Sequence, residues 1–78
     1  MASSLRDLRY RRIIDRLKAA RLAAGLSQQE LADSLGKPQS YVAKIEGCER
    51  RLDVLEFLLI ARCVGLDTGI LSKAVEGK

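Results

Sequence analysis

The side chains of this chain offer hydrogen bonding rather than bond making. Its 78 residues include no His, and the nucleophile candidates Ser27, Cys48 and Cys63 have no recognisable base partner, so no catalytic constellation assembles and an enzyme is not expected. Two cysteines without metal-ligand spacing argue against zinc, and no metal or cofactor is predicted. What remains is a set of short donors and acceptors at helical spacing. Gln28 stands at one candidate helix start and Gln39 at another, and Ser40, Ala43, Lys44 and Gly47 follow Gln39 on one face. Small and polar residues with a single cation suit a helix lying in the major groove, because bulky side chains would hold its backbone away from the base edges.

Such a face needs two helices and a tight turn to present it, and residues 28–47 supply the signals. Ser27 can cap the free N–H groups of a helix start, Glu30 can reach back three residues, and Leu26 and Leu31 sit where a hydrophobic staple closes. Leu31, Ala32 and Leu35 form a buried stripe, and Gly36 can stop the helix in the left-handed conformation. After Lys37, Pro38 is expected in the first turn of the next helix, where its missing N–H costs nothing. Val42 and Ile45 supply that helix's inward stripe. Ala32 suits two helices that cross sharply, where a larger side chain would clash. The pattern is a helix-turn-helix, and it points to double-stranded DNA.

With Gly-Leu-Ser-Gln-Gln-Glu-Leu-Ala at 25–32 and Ser-Tyr-Val-Ala-Lys-Ile-Glu at 40–46, the chain resembles the phage-repressor-like, XRE-type helix-turn-helix regulators over about residues 14–71. The resemblance implies an all-α, five-helix, lambda-repressor-like domain. It implies that Gln28 holds a phosphate and braces the recognition helix, that Gln39 occupies an adenine-reading position, and that Ser40, Ala43 and Lys44 face the groove. Tyr41 joins this DNA-binding set, as do Arg50 and Arg51 in the following connection, where arginines can touch phosphate. The chain departs from the family at Pro38, where a Ser or Thr cap is usual, and at Gly47-Cys48, where the glycine has moved one place.

Bulk composition agrees with a polyanionic partner. Net charge is +4, and residues 1–24 carry seven Lys or Arg against two Asp, a net +5 that leaves −1 for the rest. One expectation is a phosphate-facing arm or helix face, and the other is a solvated surface. An Arg-rich targeting peptide agrees with Ser3 and Ser4 but not with Asp7 and Asp15. No apolar run is long enough to span a membrane, and two unclustered cysteines without a signal peptide suggest reduced thiols in a cytoplasm. Cys63 is expected in the core and Cys48 in a turn.

The remaining elements frame the motif. Tyr10, Ile13, Ile14, Leu17, Ala20 and Ala24 share one face of a first helix that Gly25 ends. Leu5 and Leu8 fall off that face, so residues 1–12 form either a basic arm or an extension of the helix. Arg21 lies inside the apolar stripe, which is costly unless an acid meets it. Glu46, at the inner edge of the recognition helix, is the candidate, and the family resemblance implies the same pair. Residues 53–78 read as two further helices, the first opened by Asp53 and Glu56 as a capping box, the second by Asp67.

The first of these is apolar almost all round, more than a monomer's surface helix should be. Leu58 and Leu59, with Ile70, Leu71, Ala74 and Val75, are therefore expected to form a dimer interface, against the alternative that five helices bury the surplus within one chain. Residues 1–78 read as one domain, marginal in stability at this size. Its core is too small for an effector pocket. The expected protein is a transcriptional regulator, most simply a repressor binding an inverted-repeat operator as a homodimer. The alternative from another class is an antitoxin-like interaction module with secondary DNA binding, which co-purification of an unrelated small protein would favour.

Overall fold

In the computed structural model the described residues are 7–70, with Ile70 described by its backbone alone. They form four α-helices, α1 Leu8–Ala23, α2 Gln28–Leu35, α3 Gln39–Glu46 and α4 Val54–Val64, followed by a 3₁₀ turn at Thr68–Ile70. The all-α class agrees with the sequence pattern. The five-helix count does not hold among the described residues, where the segment opened by Asp67 is a single 3₁₀ turn; Leu71, Ala74 and Val75 lie outside them.

Local chemistry accounts for the ends. Asp7 caps α1 by accepting from the Arg9 backbone N–H, so the helix starts at Leu8; residues 1–6, with Leu5, lie outside the described residues. Full capping boxes open α2, through Ser27 and Glu30, and α4, through Asp53 and Glu56. Gly36 (φ 69°) and Gly65 (φ 73°) close the same two helices in the left-handed region, where a glycine carries no Cβ penalty. Pro38 corrects its expected place. With ψ 157° it is the N-cap of α3 and the helix begins at Gln39, because ring closure fixes φ but leaves ψ free to stay extended.

Packing then sets the angle of the motif. Ile14 and Leu17 of α1, Leu31 and Ala32 of α2, Val42 and Ile45 of α3, and Ile60, Ala61 and Val64 of α4 make one core. Ala32 is wholly buried (0% exposed), which is where α2 and α3 need a small side chain to approach. Cys63 is exposed on α4 rather than in the core, and Cys48 is half-buried. The helical register explains the first point: Ile60, Ala61 and Val64 take the inward positions and Cys63 falls on the other side. Val54, Leu55, Leu58 and Leu59 are exposed there too.

Candidate nucleic-acid interface

The α3 helix divides cleanly by side. Val42 and Ile45 are in the core, Gln39, Ser40 and Lys44 are exposed, and Ala43 is half-buried beside them. The structure thus brings four of the predicted groove-facing residues onto one strip of a helix that a rigid core holds.

Behind that strip runs a hydrogen-bonded relay from α1 through α2. Arg21, 5% exposed, donates from Nε to Glu46 Oε2 at 2.6 Å and from Nη2 to Oε1 at 3.0 Å, while its Nη1 donates to the Leu26 carbonyl at 2.6 Å. Both side chains of the pair are more than nine-tenths buried, and the bidentate geometry satisfies most of what burial would otherwise leave unpaired. Gln28 Nε2 donates to Glu46 Oε1 at 3.0 Å, and Gln39 Nε2 donates to Gln28 Oε1 at 2.7 Å. The first residue of α3 is therefore braced by the first residue of α2, and that residue by the buried pair.

Tyr41, Arg50 and Arg51 are placed differently from the groove-facing strip. The half-buried Tyr41 hydroxyl donates to Glu56 Oε2 at 3.0 Å. Its ring lies beside two cations, Lys37 Nζ at 5.3 Å and Arg50 Cζ at 4.8 Å from the centroid, distances at which the ring quadrupole attracts charge. Arg50 also grips Glu56 with both terminal nitrogens, at 3.1 and 2.8 Å, so its charge is partnered within the protein. Arg51 is exposed. Burial, and then the bond to Glu56, push the Tyr41 phenol above its ordinary pKa. The Arg50 guanidinium, with the Asp53 N–H and the Tyr41 hydroxyl, holds the Glu56 carboxyl down at about 2.

Sequence reasoning missed this second cluster. Glu56 is legible as a capping residue, but its bonds to Tyr41 and Arg50 join positions with no periodic relation. Tyr10 likewise does more than fill the core face that its spacing predicts: its hydroxyl accepts from the Leu52 N–H at 3.2 Å and donates to the Arg50 carbonyl at 3.4 Å, pinning the α3–α4 connection to α1.

A capped α2, a sharp turn at Gly36 and a recognition-type α3 with a polar outer strip define a helix-turn-helix protein of the DNA-binding class. The comparisons carry that further. The helix-turn-helix family matches residues 17–71. A solved structure described as an XRE-family like protein from Pseudomonas syringae pv. tomato str. DC3000 is similar at 49% identity, with a TM-score of 0.78, over 88% of this chain and 84% of that one. No curated protein matches. The chain belongs to the XRE-type helix-turn-helix family of DNA-binding transcription regulators. Among the described residues no helix is long and apolar enough to cross a membrane.

Proposed function

We propose that this chain is a cytoplasmic repressor that binds an inverted-repeat operator as a homodimer and acts by occupancy, without catalysis or a small-molecule effector. The observation that carries the reading is the outer strip of α3. Gln39, Ser40 and Lys44 are exposed side by side, and Gln39 is held by Gln28 instead of sweeping solvent. Side chains already oriented lose less entropy on meeting a base edge.

In this reading Gln39, Ser40 and Lys44 read bases, and Ala43 lets the α3 backbone approach. Gln28 meets a phosphate from the start of α2, where free N–H groups and the helix dipole favour an anion. Arg51 meets the backbone from the connection, and Arg50, Lys37 and Tyr41 flank it as one rigid unit. The homodimer is supported by the exposed Leu58 and Leu59 of α4, with Ile70, Leu71, Ala74 and Val75 continuing the interface.

Selection of bound duplexes from a random library tests the whole proposal. The expected result is a two-fold symmetric consensus whose base preference relaxes at one or two positions per half-site in Gln39→Ala, while Gln28→Ala weakens binding to all sequences and leaves base preference unchanged at every position except the one Gln39 faces. Unchanged base preference after joint replacement of Gln39, Ser40 and Lys44 would remove α3 as the reader.

A further inference from the structure

The relay behind α3 has a direction, and charge sets it. Glu46, ionised in its bridge to Arg21, can only accept hydrogen bonds. Gln28, 3.0 Å from Glu46 Oε1, must therefore present its amide –NH2 there and not its carbonyl. With Nε2 committed, Gln28 turns Oε1 toward Gln39, and an amide oxygen at 2.7 Å admits only a donor. Gln39 in turn commits one N–H to Gln28. Its carbonyl oxygen and its second N–H stay outside the relay.

An adjacent donor and acceptor match adenine, which shows an N7 acceptor and an N6 donor in the major groove. They mismatch guanine, which shows two acceptors there. We propose that Glu46 is a specificity-determining positioning residue: its buried carboxylate orients the Gln39 amide through Gln28 and so selects adenine over guanine at the base Gln39 faces. The proposal rests on α3 being the recognition helix. It adds that part of the base preference is written in a carboxylate inside the protein. Were position 46 able to donate as well as accept, either amide could reverse, and Gln39 could then turn its –NH2 to both guanine acceptors.

Two variants break the relay at different points. Gln28→Met leaves the Arg21–Glu46 pair in place. The joint replacement Arg21→Met with Glu46→Gln removes both charges at once, so no unpaired buried charge is left, and sets beside Gln28 an amide that donates or accepts. Thermal melts select the conditions in which both are folded. The base faced by Gln39 is the one whose preference Gln39→Ala abolishes in the selected operator, and adenine-to-guanine preference there is measured by competition.

The expected preference in the unaltered protein is roughly fivefold to a hundredfold, the range of a good bidentate contact, and it falls several-fold in both variants at that position alone. In the free protein, the side-chain amide nitrogen and proton resonances of Gln39 should be displaced from those of free glutamine by its bond to Gln28 and move back toward them in both variants. Retention of the adenine preference in both variants would overturn the proposal, as would a different preferred base or Gln39 resonances at free-glutamine values. Absence of any base preference in the unaltered protein would sink the recognition-helix reading with it, whereas an unchanged ratio in the variants sinks this proposal alone.

Discussion

Cys48 holds φ 57° directly after the glycine that ends α3. A side chain there costs about 1 to 2 kcal/mol in the steric clash of Cβ with the backbone, and the displaced glycine explains why a cysteine carries it. Gly47 sits at φ −83°, where any residue is comfortable. Cys48→Gly should therefore be more stable than Cys48→Ala by about 1 kcal/mol, read from urea denaturation; comparing those two removes the half-buried thiol from both sides. Glu56 makes a second prediction at this scale. Its carboxyl is lowered from 4.5 to about 2, first by the Arg50 guanidinium. A depressed folded-state pKa contributes stability that is complete above the unfolded value and disappears as pH falls through the folded one. Glu56→Gln should thus be less stable than the unaltered protein by about 1 kcal/mol at pH 7, with the gap closing between pH 4.5 and 2. A gap independent of pH would mean that packing, not charge, supports Glu56.

Between elements, the Arg21–Glu46 pair is the main polar tie from α1 to α3. Removing one partner of a buried pair costs about 3 to 5 kcal/mol, because the other charge stays buried. Arg21→Ala and Glu46→Ala should each be strongly destabilising and the double variant clearly less so than their sum; additive losses would mean no direct coupling. This pair and the relay show what a sequence can disclose. The charge of Arg21 interrupts an apolar stripe, Glu46 edges another, and one satisfies the other, so the contact follows from burial cost alone. The helix starts at Ser27 and Asp53 and the stops at Gly36 and Gly65 were equally legible, because capping is a matter of a few adjacent residues. The link from Tyr41 to Glu56 and Arg50 was not, since it depends on how the connection after α3 folds back, which no local period encodes. Nor was the inward or outward place of Cys63, because α4 is apolar on nearly every side and periodicity cannot choose its buried face.

That same ambiguity becomes a property of the whole molecule. Val54, Leu55, Leu58 and Leu59 leave an exposed apolar strip along α4, and beside Val54 an open groove of about 200 Å³ runs between α1 and α4, lined by Tyr10, Ile13, Leu52 and Phe57. Contiguous exposed apolar patches larger than a few hundred Å² mark interaction surfaces, and the α4 strip with the neighbouring groove is a candidate for one. A recognition helix of eight residues reads only a few base pairs, too few to select one site among a genome's competitors, so doubling the contacts answers both facts. A two-fold dimer covering the α4 strip should set its two α3 helices about 34 Å apart and prefer half-sites one helical turn apart. Leu58→Asp would bury a charge at that contact but, being exposed in the monomer, should leave helix content and melting of the single chain nearly unchanged. The expected outcome is a monomer by sedimentation, with cooperative operator binding lost and weak half-site binding kept. If the unaltered chain sediments as a monomer at high micromolar concentration, free and on DNA, the α4 strip is not a self-interface and the operator must be read by one copy.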